Sequence, residues 1–443
     1  MPKSFHIITL GCKVNQCESA CLNTAFCREG WIPVEGSGRP DLIVVNTCIV
    51  TQRAAHQCRQ EIRKAIRTNP DAMVAAVGCY GQVFPEELSR IKGLRLVAGN
   101  TMKGKLPQIM KKGDASGKPA FHLQDFDGAT TFEALPLEAF PDRTRAFLKI
   151  QDGCESFCSY CIVPFARGPC RSLPPSRVLS MVEGLCGKGY REIVLTGIHL
   201  GKYGLDLAQG ADLTRLLRRI GREGFPVRIR LSSLEPQEIS EPLVEMVGSQ
   251  GWLCRHFHIP LQSGDDAVLR RMKRKYGSRE FARLIRLIHH IAPETAIGVD
   301  VMAGFPGEDP AAHENTCALI DDLPVSYVHV FRFSPRRGTP AATYVGQIDP
   351  RVSKERAAEL REIGQRKRAL FLRASLGKEF QVLSEAWHDR ERMVVRGYSD
   401  NYLPILFTAS DGVLPGLISV RTERVVGNAL LGSSLEDCPG LRL

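Results

Sequence analysis

No apolar run in this chain approaches the roughly 20 residues needed to cross a membrane. The start, Met1-Pro2-Lys3-Ser4 and a short apolar stretch, lacks the long hydrophobic core and small-residue cleavage site of a secretory signal. There is no low-complexity tract and no short-period repeat. Together these absences disfavour a membrane protein, a secreted protein and a disordered chain, and predict a cytoplasmic globular one. The chain also lacks an even number of cysteines: there are 15. Without a secretion signal that is a poor disulfide framework, so reduced thiols acting as metal ligands or core residues are expected.

What is present begins with length and charge. At roughly 100–200 residues per domain, 443 residues predict two to four domains. Basic residues outnumber acidic ones, 59 to 48, for a net charge of +11. Such a balance favours polyanionic partners, whose phosphates release counterions on binding, but does not identify them.

The first third repeats one pattern three times. Apolar runs at 5–10, 42–46 and 74–77 read as strands and end at Gly11-Cys12, Thr47-Cys48 and Gly78-Cys79. Helical patterns at 18–29 and 53–67 lie between them. Strands alternating with helices predict a parallel sheet, and ligands of such sheets sit at the carboxyl ends of the strands. Three cysteines placed there favour a joint ligand site over three separate packing roles. Residues 111–142 carry Gly, Pro, Asp and Thr with little periodicity and read as a linker region.

A second α/β region follows, with candidate strands at 147–150, 192–195, 228–232, 257–261, 297–301 and 328–333. Six βα units suit a barrel or partial barrel. Residues 351–375 form a basic helix, with eight Lys/Arg and three Asp/Glu in 351–374. Short alternating runs at 379–384, 393–398, 403–408 and 418–426, separated by turns, then predict a small β-barrel.

Cys154-Glu155-Ser156-Phe157-Cys158-Ser159-Tyr160-Cys161 follows the first strand of the six-unit region. Three thiolates in eight residues can wrap one face of a [4Fe–4S] cluster and leave one of its four irons open. The alternative is structural zinc, with Cys170 as fourth ligand, although this spacing is not a common zinc pattern.

The Cys-x3-Cys-x2-Cys spacing, with an aromatic before the last cysteine, resembles the radical S-adenosylmethionine (SAM) superfamily. That resemblance implies a partial (β/α)6 TIM barrel and a cluster whose open iron is chelated by SAM. The segments Leu10-Gly11-Cys12-Lys13-Val14-Asn15-Gln16, Asn46-Thr47-Cys48 and Val77-Gly78-Cys79 resemble the N-terminal domain of the methylthiotransferases. The central motifs Leu195–Gly201, Arg230–Pro236, His258–Gly264, Gly304–Glu308 and Ser334–Thr339 resemble the same family, and the C-terminal module resembles its RNA-binding TRAM domain. The resemblance spans essentially the whole chain. It implies an α/β protein with an N-terminal methylthiotransferase domain (1–115), a linker (116–142), a radical SAM domain (143–374) and a TRAM-like domain (375–443).

The resemblance also implies two [4Fe–4S] clusters, one on Cys12, Cys48 and Cys79 and one on Cys154, Cys158 and Cys161. One SAM would methylate a sulfur held at the first; a second SAM would give a radical at the other. Gly304 and Gly307 would let backbone approach the SAM adenine. Gln262, Ser232 and Ser233, at strand ends, would bond SAM polar groups or simply make turns. Arg336 would meet the SAM carboxylate or an RNA phosphate. Leu-Gly-Cys-Lys-Val-Asn-Gln and Gly397–Tyr402 resemble the branch acting on N6-threonylcarbamoyladenosine at position 37 of tRNA. The alternatives are the branches acting on isopentenyladenosine-37 and on an aspartate of a ribosomal protein. The implied partners are the tRNA anticodon loop, a flavodoxin- or ferredoxin-like electron donor and a sulfur source, with the chain acting as a monomer.

Two residues depart from the branch's pattern, Cys17 and Cys170, and both read as tolerated small residues beside a cluster. Cys27, Cys58, Cys186, Cys254, Cys317 and Cys438 read as packing residues. From Gly377 onward there are seven basic and nine acidic residues, so bulk charge does not support RNA binding there. The 351–374 helix is the better electrostatic candidate, with stacking by Tyr398, Tyr402 or Phe407 as a further means of holding unpaired bases.

Overall fold

A computed structural model of the chain describes residues 3–35, 38–112, 119–126, 131–140, 143–207, 210–408 and 416–435. The N-terminal sheet is all parallel, with strands β1 (Ser4–Thr9), β2 (Ile32–Pro33), β3 (Leu42–Thr47), β4 (Met73–Gly78), β5 (Leu94–Ala98) and β6 (Ala120–His122) in the order β2-β1-β3-β4-β5-β6. Its central strand β3 is buried along its whole length, because helices cover both faces of a parallel sheet. Three strands were legible from apolar runs. Of the other three, β2 and β6 have only two and three residues, whereas β5 has four apolar residues in five and was passed over; β6 falls within the expected linker. That segment is tied to its surroundings: Phe126 lies under the Arg171 guanidinium, 5.0 Å from ring centre to cation.

The central region has six parallel strands, β7 (Arg145–Lys149), β10 (Glu192–Thr196), β11 (Arg228–Leu231), β12 (His256–Gln262), β13 (Ala296–Ala303) and β14 (Tyr327–Arg332), with the two-residue strands β8 (Gln151–Asp152) and β9 (Arg171–Ser172) pairing beside them. They form two three-stranded halves, β7-β10-β11 and β12-β13-β14, joined by a bridge between Ile229 and Leu253. One edge of this partial barrel is packed by helix Lys13–Arg28, whose Cys17, Ala20 and Cys21 share the central core with Leu148 and Ile150. Helix Pro350–Ala374 covers β14, placing Ala357, Leu360 and Ile363 in the same core.

The C-terminal module is a closed barrel of β15 (Glu379–Asp389), β16 (Val394–Ser399), β17 (Pro404–Thr408), β19 (Ala429–Ser434) and β18 (Leu417–Val426), in that order. One strand, β19, was not foreseen, and most of the turn expected between the 403–408 and 418–426 runs lies outside the described residues. The module docks at the amino ends of the barrel strands. There Arg228 donates to the carbonyls of Gln381 and Tyr398 at 2.7 and 2.8 Å, and Arg230 to those of Asp400 and Ser399 at 2.8 and 3.0 Å. Both guanidiniums also hold Glu192, which has no exposed surface. Among the described residues, no helix is long and apolar enough to cross a membrane.

Candidate iron–sulfur and RNA site

Each cysteine of the first trio follows a strand of one sheet. Cys12 follows β1 and caps helix Lys13–Arg28, Cys48 follows β3, and Cys79 opens helix Cys79–Val83 after β4. Two asparagines fasten these ends together. Asn15 donates to the carbonyls of Leu10 and Thr47 at 2.7 and 3.0 Å, and Asn46 donates to the Asn15 carbonyl at 3.0 Å. Gly11 permits the approach of Cys48: its φ is +100°, and a Cβ there would stand 2.7 Å from the Cys48 Cβ.

The second trio lies on a loop after β8. Gly153, with φ +79°, starts it where a Cβ would fall 1.8 Å from the Pro169 carbonyl oxygen, so only glycine fits. Phe157 takes φ +45° between the first two cysteines, a strained choice for an aromatic residue. The trios are on touching elements. Helix Val163–Arg167, beginning two residues after Cys161, packs with helix Cys79–Val83, and Ile162 and Ala166 share a core cluster with Cys48 and Cys79.

Donors surround the thiols. His199 Nδ1 is 3.4 Å from Cys154 Sγ and its Nε2 is 2.5 Å from Glu238. Arg274 donates to Cys158 Sγ at 3.3 Å while paired with Glu235. Arg167 Nε donates to Cys79 Sγ at 3.3 Å, and Asn100 does so at 3.5 Å. Burial pushes the Cys48 and Cys161 thiols up to about 12 and raises Cys12 and Cys158. Burial acts the same way on Cys154, but hydrogen bonds from His199 and Ser156 outweigh it and lower its pKa. Burial likewise disfavours charge on His199, yet its bonds to Cys154 and Glu238 lift it to about 9. Thiols held protonated in this way release protons when they bind metal.

The spacing separates a cluster from a single ion. Tetrahedral zinc, with Zn–S bonds of about 2.3 Å, requires thiols about 3.8 Å apart. Among the described residues, the groups of three ligand side chains mutually within 4.8 Å are His258/Asp300/His329 and His313/Cys317/Glu359, and none of the six cysteines belongs to either. Cys170 does not complete a zinc set: its thiol points to the Gly153 carbonyl, 3.8 Å away. Among the described residues, three thiols not all within 4.8 Å of one another suit a multi-iron cluster with one open position better than a single ion.

Below the second trio, the barrel interior is polar. His258 and His329 face the Asp300 carboxylate at 3.2 and 3.5 Å. Burial pushes that carboxyl up, but hydrogen bonds from the two imidazoles prevail and hold it at about 2. Tyr327 bonds His256 at 2.7 Å, and Tyr402 lies 4.9 Å from His256 between the Arg145 and Arg230 guanidiniums.

These rings open outward into a cleft of about 1160 Å³ between helix Pro350–Ala374, β14 and the C-terminal barrel. Arg361, Arg368, Arg373 and Arg396 line it with Tyr398 and Tyr402. The cations thus come from both sides of the cleft, although the C-terminal module is acidic overall. Within that helix, Arg368 of the run Arg366-Lys367-Arg368 faces the cleft, whereas Arg366 and Lys367 bond Asp321. Phe407 is fully buried in the barrel core and offers no stacking surface.

The remaining expected contacts separate. Ser233 bonds His258 Nδ1 at 2.7 Å, while Ser232 Oγ is buried without a partner. Gln262 adopts φ +63° at a bulge closing β12, a conformation rare outside glycine and enriched at functional sites. Gly304 and Gly307 have reasons within the chain. A Cβ at the first would meet Ser353 Oγ at 2.4 Å, and one at the second would meet Arg271 Nε at 2.8 Å. Arg336 is buried beside Cys48 and Tyr80, with its Nε unpartnered. Cys17 and Cys21 are core residues, Cys58 packs against Cys48, Cys27 is exposed rather than packed, and Cys438 lies outside the described residues. Sequence reasoning passed over His199, Arg274 and Arg167. His199 lies inside a quoted motif, but nothing in the order of residues marks which thiol each would reach.

Comparison with known proteins agrees with this geometry. Residues 4–99 match a family described as uncharacterized protein family UPF0004, and residues 148–320 match the radical SAM superfamily. The chain is 36% identical to the threonylcarbamoyladenosine tRNA methylthiotransferase MtaB of Bacillus subtilis, over 94% of this chain and 93% of that protein. It is 30% identical to the tRNA-2-methylthio-N(6)-dimethylallyladenosine synthase of Symbiobacterium thermophilum, over 98% and 94%. The radical SAM methyltransferase TsrM of Kitasatospora setae shares the fold, with a TM-score of 0.57 at 17% identity over 77% of this chain and 75% of that one. The chain belongs to the radical SAM methylthiotransferase family.

Proposed function

We propose that this enzyme adds a methylthio group to carbon 2 of N6-threonylcarbamoyladenosine at position 37 of tRNA. The observation that carries the reading is the pair of three-thiol sites on touching elements, each one ligand short of closing a four-iron cluster. The substrate follows from the relatives: those 33–36% identical over most of the chain are named for threonylcarbamoyladenosine, and those at 29–30% for dimethylallyladenosine.

Cys154, Cys158 and Cys161 hold the cluster that works with SAM, and Cys12, Cys48 and Cys79 hold the second. When bound, a reduced cluster with SAM supplies a carbon radical able to remove hydrogen from an aromatic C–H that offers no acidic proton. The protein's own part is positioning. His199 and Arg274 hydrogen-bond the first set of thiols, which steadies them as ligands. Gln262 and Ser232 stand at the strand ends where SAM polar groups need partners. Arg336, unpaired beside Cys48, suits an anionic group arriving between the two sites. The cleft arginines hold anticodon-loop phosphates, and Tyr398 and Tyr402 supply faces for unstacked bases. The protein acts in the cytoplasm as a monomer, with a flavodoxin- or ferredoxin-like electron donor and a separate source of sulfur.

The test is turnover without oxygen. Reconstituted protein, SAM, a reductant and sulfide are given anticodon stem-loops carrying either threonylcarbamoyl- or isopentenyladenosine. Methylthiolation of the first and not the second is expected. Modification of the isopentenyl stem-loop alone contradicts the substrate assignment.

A further inference from the structure

The barrel carries a group of ligand side chains that includes none of the six cysteines. Along β12, β13 and β14, Ile259, Val299 and Val330 turn outward into the core beneath the helices, so their neighbours His258, Asp300 and His329 turn inward. The three strands are adjacent, and Asp300 stands opposite His329 in register. The side chains of His258 and Asp300 are largely buried. His329 is more than half exposed and lines the cleft.

Three ligand atoms converge there. His258 Nε2 lies 3.2 Å from Asp300 Oδ1 and 3.3 Å from His329 Nδ1, and His329 Nδ1 lies 3.5 Å from the same Oδ1. The triangle is nearly equilateral. Tetrahedral zinc, with bonds to nitrogen and oxygen of about 2.0–2.1 Å, requires edges of about 3.3–3.4 Å. Hydrogen bonding alone fits the triangle less well. Asp300 Oδ1 is buried, and neither imidazole N–H is well aligned on it. If both rings donate to that oxygen, their N–H groups crowd each other; if one ring accepts from the other, it gives up the carboxylate. A cation over the triangle satisfies all three atoms at once through their lone pairs. Ser233 provides the outer contact that ligating histidines usually have. Its Oγ bonds His258 Nδ1 at 2.7 Å, which leaves Nε2 free for an ion.

We propose that His258, Asp300 and His329 bind a divalent cation of the zinc type on the inner wall of the barrel, with its open position toward the cleft. Two imidazoles and a carboxylate are the donor set of three-ligand zinc sites, in which a fourth position stays open to an oxygen donor such as water. The ion is separate from both iron–sulfur sites, and the assignment does not depend on which adenosine the enzyme modifies. The same donors suit ferrous iron, so mononuclear iron must be removed before zinc is added.

The full chain, reconstituted with iron and sulfide in the absence of oxygen, is passed over a chelating resin and equilibrated with buffered zinc. Mass spectrometry counts zinc and iron, and X-ray absorption at the zinc edge reads the ligands. Wild type is expected to take up about one zinc per chain, held by nitrogen and oxygen at about 2.0–2.1 Å with no sulfur near 2.3 Å, while the clusters keep their visible absorbance. D300N and H329A should lose that zinc. S233A keeps all three ligands and should weaken binding by about tenfold or more. Only variants that hold wild-type cluster absorbance are compared, and the exposed His329 is the substitution that disturbs packing least. Zinc uptake unchanged in H329A and D300N overturns the proposal, and so does a wild type that takes up no zinc. A sulfur shell overturns it as well, because it places the ion on the cluster cysteines or on the group His313, Cys317 and Glu359. Zinc that enters only as cluster absorbance is lost has the same consequence.

Discussion

A Cys154→Ala chain, reconstituted with iron and sulfide in the absence of oxygen, should hold about half the iron of wild type, four of about eight atoms, and release no 5′-deoxyadenosine from SAM. A Cys79→Ala chain should lose the same amount of iron yet still cleave SAM. The asymmetry follows from the placement of the trios. Cys154, Cys158 and Cys161 share one loop after β8 of the barrel region, whereas Cys12, Cys48 and Cys79 come from three strand ends of a separate sheet. Neither trio borrows a thiol from the other, so removing one ligand empties one site. Chemical iron analysis and chromatography of the nucleoside product check both halves. Loss of all iron from either variant, or equal loss of SAM cleavage in both, contradicts two independent sites.

Replacing Glu18 with glutamine should destabilise the protein by about 3–5 kcal/mol, read as a lower urea midpoint. Glu18 is 2% exposed. It pairs with Lys103, with Lys149 at 2.9 Å and with Arg167 at 2.5 Å. Asp152, itself bonded to Lys149 at 2.9 Å, and Glu133 are further carboxylates beside this group. Removing one negative charge takes away the carboxylate that directly pairs all three buried cations. Burial alone pushes the Glu18 carboxyl up, but the three cations outweigh it and hold it well below its ordinary value. A depressed carboxyl contributes fully above its unfolded pKa, near 4.5, and loses that contribution as the pH falls toward the folded value. The E18Q deficit should therefore be complete at neutral pH and shrink in acid. A second variant separates charge from packing: adding Lys103→Met to E18Q removes one stranded cation and should restore part of the stability. Because Arg167 also donates to Cys79, the E18Q protein should lose iron at the N-terminal site first.

Much of this arrangement is legible in the order of residues. The apolar runs marked three strands of the first sheet and all six of the barrel, because buried parallel strands read as continuous Val/Ile/Leu stretches. The cysteines could be placed at strand ends for the same reason. Other features depend on residues that meet only after folding. Strand β6 is three residues long, too short for any pattern to distinguish it from linker. The glycines at 304 and 307 read as room for a ligand; the fold adds a reason of its own, since a Cβ there would meet Ser353 or Arg271. The acidic balance of the C-terminal module argued against RNA there, but bulk charge says nothing about which side chains face a cleft. Arg396 faces the cleft together with Arg361, Arg368 and Arg373 of the facing helix, about 30 residues away in the chain.

The most direct test is the nucleoside content of tRNA from cells lacking this gene, rescued by wild type or by Cys154→Ala and read by mass spectrometry. The prediction is that 2-methylthio-N6-threonylcarbamoyladenosine disappears, its unthiolated precursor accumulates, and wild type alone restores it. Persistence of that nucleoside with loss of the isopentenyl analogue, or of methylthioaspartate in a ribosomal protein, would contradict the substrate while leaving the chemistry in place.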